Sequence, residues 1–333
     1  MSTEHPRGYR SIFWPVVLVG LGVIWLLANL EIIPGWSWWN LWRLWPLLLV
    51  VIGLDLLFAR RSPLIGALLG LATVAAAVAV LLAAPSLGWT SNPEAITEMF
   101  NEPLGSARSA EVELEFSLGT STVEALPDST DLIRIEGTHL GEVAFTATGD
   151  TSKSIRLQEV GGPFSVNLGP FQMEKLRWDV GLTPKIPLKL RIDSGVGSAR
   201  LDLADLQIAS LDLTMDVGVV TLFLPATEAT YEVALSGGVG KLEMHIEDGA
   251  SVSLDIRGDV GDMLLDIPED SEVHLEAETD VGNIRVPARF DLIRKDADRV
   301  VGVKGVWETP GFDDAEQVIT IVFDGAVGNL TIR

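Results

Sequence analysis

The sequence contains no cysteine among its 333 residues, and it has only four histidines and two tyrosines. Without cysteine there is no disulfide framework, no thiolate nucleophile and no zinc–thiolate site. The sequence also lacks the His-Glu-x-x-His, Gly-x-Ser-x-Gly, Ser-x-x-Lys and Walker-type motifs. We therefore expect no catalytic residues, no cofactor, no metal site and no enzymatic activity.

Basic residues are scarce, because 24 Lys and Arg face 46 Asp and Glu, a formal net charge of −22. The mean hydropathy is nevertheless positive. The two properties separate along the chain: residues 1–84 hold five arginines and three acids, and the rest holds 19 basic and 43 acidic residues. This acidity excludes nucleic acid as a partner and predicts one apolar and one acidic domain.

Three long apolar runs occupy residues 12–30, 42–58 and 64–84. The first and third are uncharged and long enough to cross a bilayer core of ~30 Å. The first run is too long for a cleavable signal peptide, and another apolar run follows it directly. These runs predict a transmembrane domain of three α-helices over residues 1–84.

Arginines flank these runs unevenly. Arg7 and Arg10 precede the first run, Arg60 and Arg61 follow the second, and the turn between the two runs has no Lys or Arg. The positive-inside rule then places the N-terminus in the cytoplasm. With three crossings, we expect a multi-pass protein of the bacterial cytoplasmic membrane whose C-terminal domain lies outside the cytoplasm.

Tryptophans cluster between the first two runs. Trp36, Trp38, Trp39, Trp42 and Trp45 are typical of the membrane interface, where the indole ring contacts both lipid and water. They predict contact with the lipid bilayer. A sensor that touches lipid-linked cell-wall precursors is the alternative interpretation of the same cluster.

Residues 85–109 are rich in Pro, Gly, Asn and Ser and are predicted to be a linker. Residues 110–333 form the predicted β-repeat domain. Its repeat is marked by Val-Gly steps that are spaced by 21 or 22 residues, except that a longer segment precedes the last one. The glycines of these steps are Gly197, Gly218, Gly240, Gly261, Gly282 and Gly328. Gly119 and Gly141 resemble earlier copies. A period of this length is typical of stacked repeats.

Apolar and polar residues alternate on both sides of each glycine, and the valine before the glycine belongs to the apolar set. Such alternation predicts strands with one buried face and one solvent-exposed face. One repeat is too small to bury its own core, so stacking of coils into a β-solenoid is predicted. A β-sandwich of hairpins is the competing fold. It would favour Asn-Gly or Asp-Gly turns.

Three repeats carry an aspartate two residues before the glycine: Asp216, Asp259 and Asp280. Stacking would bring these carboxylates within several ångströms, as a Ca²⁺ site requires. The Gly-Gly-x-Gly-x-Asp calcium repeat is absent, so a hydrogen bond to the local backbone is the expected role.

The apolar N-terminal part contains two similar segments, Trp14 to Gly22 and Trp45 to Gly53, and the turn Ala28 to Ile33. This region resembles the membrane domain of LiaF/LiaI-type envelope-stress proteins. The repeats after it resemble toast-rack and adhesin-like β-solenoid domains. The resemblance implies a protein that restrains a membrane sensor kinase in the cell-envelope stress response.

Two functions therefore remain open. The first is sensing or scaffolding in the envelope by binding a membrane partner. The second is a structural or adhesive module that self-associates, because the last strand, Leu330 to Ile332, reaches the C-terminus without a cap and could pair end to end.

Overall fold

The computed structural model describes residues 95–160, 175–227, 229–295 and 302–333, with isolated helical residues between positions 18 and 79. The chain divides into two compact units, Met1–Pro93 and Glu94–Arg333. The five tryptophans predicted at the membrane interface and most of the three predicted spans lie outside the described residues.

The predicted fold class, three membrane-spanning helices followed by a β-solenoid, is wrong in its helical part. Among the described residues of the first unit, helix is present only in short pieces, and none is long and apolar enough to cross a membrane. An apolar run indicates a preference for apolar surroundings. A span also requires an unbroken helix of about 20 residues, and hydropathy alone does not establish that continuity.

The second unit is all-β, with fourteen strands and one 3₁₀ turn (Phe312–Asp314) among its described residues. The strands are β1 (Ile96–Pro103), β2 (Ser109–Ala125), β3 (Asp131–His139), β4 (Glu142–Thr148), β5 (Ser152–Val160), β6 (Arg177–Leu182), β7 (Leu188–Asp202), β8 (Ile208–Leu224), β9 (Tyr231–Ile246), β10 (Val252–Asp266), β11 (Glu272–Arg285), β12 (Asp291–Lys295), β13 (Val303–Glu308) and β14 (Val318–Ile332). Strand β1 lies within the segment predicted to be a linker.

The centre of the sheet consists of long parallel strands in the order β2-β7-β8-β9-β10-β14-β11. Strand β8 has 17 residues and would span about 55 Å if it were straight. Residues 203–207, which join β7 to β8, reach at most about 18 Å. Each long strand must therefore double back on itself before the next parallel strand begins.

The core lies between the two halves of these doubled strands. The apolar residues of each half alternate with polar ones, and the buried set includes Leu190, Leu213, Leu222, Met244 and Leu265, each at most 3% exposed. The period-2 alternation of the sequence therefore produces one continuous apolar interior.

The order of the coils departs from the predicted solenoid. In a solenoid each coil stacks on the one before it, but β14 lies between β10 and β11. Antiparallel strands complete both ends, with β1, β3 and β6 at one end and β13 and β12 at the other. Gly141, predicted to start an early coil, lies in the turn between β3 and β4. The C-terminal strand is therefore internal, and the end-to-end pairing predicted for it is wrong.

Candidate functional site

The repeat glycines occupy one position in neighbouring strands. Backbone pairing joins Gly197 to Gly218, Gly218 to Gly240, Gly240 to Gly261, Gly261 to Gly328, and Gly328 to Gly282. Gly119 extends this line of paired glycines, here called the glycine file, through its pairing with Gly197. The six predicted glycines thus lie in a single line across the sheet.

Close backbone approach explains why this position is glycine. A Cβ atom on Gly218 would fall well inside van der Waals contact of the carbonyl oxygen of Gly197, and Gly218 has a positive φ of 156°. The same collision with the neighbouring glycine carbonyl recurs along the file. Only a residue without a side chain allows the backbones to stack here.

The strands bend two residues before each glycine, because the pairing skips that residue. Ser194 pairs with Met215 and Val196 with Val217, while the residues between them have no pairing partner. The skip interrupts the alternation, so the valine before the glycine turns outward. The prediction that this valine shares the buried face is therefore wrong.

These outward valines form an exposed apolar strip, here called the valine ridge and defined by Val196, Val217, Val327 and Val281. Their side chains are 39%, 45%, 43% and 51% exposed. The backbones of Val239 and Val260 occupy the register positions between β8 and β14. With strands ~4.8 Å apart, the ridge runs about 24 Å from β7 to β11.

An open groove of about 420 Å³ lies at the same bend and is here called the acidic groove. Its charged lining residues are Asp216, Asp259, Asp280, Asp324 and Arg257. The Arg257 guanidinium donates to Asp255 at 2.6 Å, so it is already engaged by a carboxylate outside the groove lining. The groove therefore carries an excess of negative charge.

The aspartates of this groove do not form the compact cluster that Ca²⁺ needs. Asp216 and Asp259 are separated by the strand that carries Gly238, and Ala326 of β14 occupies the position between Asp259 and Asp280. Asp216, Asp259 and Asp280 thus lie on strands about 10 Å apart in the sheet. Within the described parts of the chain, no group of three potential metal ligands comes together.

Histidines of the second unit are paired or buried. His245 Nδ1 lies 3.0 Å from Asp266 Oδ2, and His274 Nδ1 lies 2.7 Å from Glu308 Oε1. Both side chains are 27% exposed, so they are partly buried. His139 is buried and stacks on Trp178 of β6, with ring centroids 5.3 Å apart. Sequence reasoning missed this contact because β3 and β6 are distant in sequence.

Comparison with known proteins supports this reading of the fold. A family model of the LiaI-LiaF-like transmembrane region matches residues 12–57. A family model of the N-terminal domain of toast_rack matches residues 90–246, which include β1 to β9. No curated protein matches the chain.

Two crystal structures of candidate adhesion proteins are similar. One, from Clostridium sporogenes, has a TM-score of 0.51 at 18% identity and covers 72% of this chain and 98% of its own. The other, from Bacteroides fragilis, has a TM-score of 0.28 at 12% identity and covers 72% of this chain and 99% of its own. The first likeness shows a shared fold. The chain thus matches the LiaI-LiaF-like transmembrane model near its N-terminus and the toast_rack N-terminal model after it, the architecture that the sequence resemblance implied.

Proposed function

We propose that this protein is a non-enzymatic, membrane-anchored envelope protein that senses or scaffolds by binding a membrane partner through its β-unit. The LiaI-LiaF-like region associates the chain with a membrane. The matched families and the similar structure are toast-rack or adhesion proteins, not enzymes. A membrane sensor kinase is the partner that the family resemblance favours.

The observation that carries this proposal is the valine ridge beside the acidic groove. Valines that are 39–51% exposed lie in register on β7 and β8 and again on β14 and β11, and exposed apolar side chains on one surface mark interaction sites. The groove beside it is lined by four aspartates. The complementary partner surface would carry apolar side chains flanked by lysine or arginine.

We further propose that the protein is held in the bacterial cytoplasmic membrane with its N-terminus in the cytoplasm and its β-unit outside. The four arginines Arg7, Arg10, Arg60 and Arg61 support this orientation. A reporter enzyme that is active only outside the cytoplasm should be active when fused after residue 333. A reporter fused before residue 1 should be inactive. The reverse pattern would refute the orientation.

The ridge can be tested by substitution in the full chain. Val217→Lys together with Val281→Lys should reduce crosslinking to the membrane partner by about tenfold or more, because two apolar contacts become charged. Val322→Lys is the matched control, since Val322 is 42% exposed but lies outside the ridge. Crosslinking with quantitative mass spectrometry in native membranes measures the effect. An equal loss of crosslinking in the control and in the double variant would contradict the proposal that the partner binds the ridge.

Self-association is the second candidate function, and the edge strand β12 favours it. Leu292 and Ile293 of β12 are 51% and 58% exposed, and β12 ends the strand order. Arg294, Lys295 and the bulge after Leu292 oppose edge-to-edge pairing. If Ile293→Lys on β12 changes the sedimentation of the purified chain, but not its crosslinking to a partner, this second function is favoured.

A further inference from the structure

One inward-facing position of the repeat lacks a side chain on three neighbouring strands. It lies three residues before the repeat glycine and continues the buried set of the alternation. On β8 this position is Met215, which packs against the core. The strands β9, β10 and β14 carry Gly237, Gly258 and Gly325 there, paired side by side in register with Met215. Three side chains are therefore missing from one edge of the core.

Two of these three gaps are filled by other side chains of the same strands. A Cβ atom on Gly258 would lie 2.6 Å from Met263 Cε, and one on Gly325 would lie 2.6 Å from the Phe323 ring. No side chain substitutes at Gly237, because the atom nearest to its Cβ position is a backbone oxygen of β8 at 3.8 Å. Space for a side chain is therefore left open beside Gly237.

This space is a mainly apolar cavity of about 40 Å³, here called the Gly237 cavity. Its walls include the buried side chains of Leu213, Leu235 and Ile256 and the partly buried Met215 and Met263. One water-sized group needs about 10–15 Å³, so the cavity holds about three such groups, comparable with the branched end of a leucine side chain. Flexible methionine side chains can adjust to what enters.

The Gly237 cavity adjoins the acidic groove, because the two share lining residues. The shared residues are Met215, Ser236, Gly237, Gly238, Arg257 and Gly258. Gly237 and Gly238 are partly exposed, and Gly238 places no side chain over the cavity. Asp216 of β8 and Asp259 of β10 line the groove on the two adjacent strands, which are about 10 Å apart. The cavity therefore has a carboxylate on each side.

An apolar cavity between two carboxylates selects a ligand that combines an apolar tip with positive charge. An aliphatic group that enters the cavity leaves water and gains contacts with the apolar walls. Basic groups beside that tip are attracted to Asp216 and Asp259. The basic residue of the groove lining does not meet this charge, because Arg257 already donates to Asp255 at 2.6 Å.

We propose that the Gly237 cavity is an anchor site for one aliphatic side chain of a partner protein, in an extended segment with lysine or arginine on both sides of that side chain. In such a segment the two flanking residues are about 7 Å apart, so their long side chains reach Asp216 and Asp259. Anchor pockets of this kind contribute much of the affinity of an interface. The assignment rests on the proposed function and specifies the chemistry of the partner's binding segment.

Methyl NMR of methionine in the full chain, solubilised in non-ionic detergent, tests the proposal. The chain has six methionines. Met215 and Met263 line the cavity, whereas Met244 in the core and the exposed Met99 on β1 serve as internal references. The peptide acetyl-Lys-Leu-Lys-amide should shift the signals of Met215 and Met263 alone, with a Kd on the order of 1 mM, as expected for one anchored side chain.

Two matched peptides separate the apolar contact from the charge. Acetyl-Lys-Ala-Lys-amide should bind about tenfold or more weakly, because alanine leaves most of the cavity empty. Acetyl-Glu-Leu-Glu-amide should cause no shift, because the aspartates repel it. Equal binding of the leucine and alanine peptides, or no shift with the leucine peptide, would overturn the proposal. Signals that move with protein concentration alone would assign the cavity to a second copy and would also overturn it.

Variants of the chain test the same site from the other side. Gly237→Leu fills the cavity and should abolish the shifts caused by the peptide, while the Met244 signal reports whether the core is intact. Asp216→Asn together with Asp259→Asn should weaken binding about threefold to tenfold. Asp248→Asn, between β9 and β10 and outside the groove lining, is the matched control and should leave binding unchanged. Peptide binding that survives in Gly237→Leu would refute the anchor site.

Crosslinking in native membranes distinguishes failure of the anchor site from failure of the proposed function. Gly237→Leu should reduce crosslinking to the membrane partner, as Val217→Lys together with Val281→Lys should. If only the two lysine substitutions reduce it, the anchor site is refuted and the proposed function stands. If neither variant reduces it, both proposals fail.

Discussion

Replacing Gly218 with alanine should lower the free energy of unfolding of residues 94–333 by about 2–4 kcal/mol. The new Cβ would collide with the carbonyl oxygen of Gly197, a backbone atom that moves only if the adjacent strand moves. The positive φ of 156° adds backbone strain for an L-residue. Urea unfolding of this unit, which has its own core, measures the loss.

Gly237 provides the matched control on the next strand. A Cβ there would have the oxygen of Met215 as its nearest neighbour, at 3.8 Å, and Gly237 lines a mainly apolar cavity of about 40 Å³. Gly237→Ala should therefore raise the free energy of unfolding by about 0.4–1 kcal/mol, because it restricts the unfolded chain and fills space. If both variants destabilise the unit alike, glycine acts here through general flexibility and not through the backbone file.

The file of glycines could be predicted because its cause is local. Close approach of neighbouring backbones demands a residue without a side chain, and that demand repeats with the period of the coil. The sequence therefore shows Gly218 and Gly240 at a constant offset from the same apolar columns. What the pattern does not reveal is the position of the bend, which lies two residues earlier and turns Val217 into solvent.

The order of the last strands could not be predicted from the pattern, because every coil presents the same edge. Short connections favour sequential stacking of β7 to β10 but do not force it, because a segment of five residues reaches about 18 Å. Residues 267–271 carry the chain from β10 to β11 across the position that β14 occupies. The long connection from Arg285 to Val318 brings β14 back to that position. Strand β14 can then pair with β10 and β11 together, and the repeats alone do not distinguish this arrangement from simple stacking.

The contact of His139 with Trp178 was also beyond sequence reasoning, for a different reason. His139 and Trp178 share no spacing, because β3 and β6 come together through an antiparallel pair outside the repeat. A period-2 pattern identifies Trp178 as a core residue. It contains no signal that a buried histidine will stack on it.

Replacing Ile321 with alanine should destabilise the β-unit by about 2–5 kcal/mol, because it leaves a cavity in the middle of the core. Ile321 is 0% exposed and pairs with Leu254 of β10 on one side and Leu275 of β11 on the other. Its neighbour Val322 faces solvent at 42% exposure. Val322→Ala should therefore change the free energy of unfolding by less than about 1 kcal/mol.

The place of β14 gives this prediction a second readout. Because β14 is the only described strand that pairs with both β10 and β11, Ile321→Ala should increase hydrogen exchange in β10 and β11 together. With sequential stacking, β10 would pair with β11 directly, and a weakened last coil would spare β10. Increased exchange confined to β11 would thus contradict the inserted position of β14. Increased hydrogen exchange in both β10 and β11 would show that the C-terminal strand holds the two parts of the sheet together.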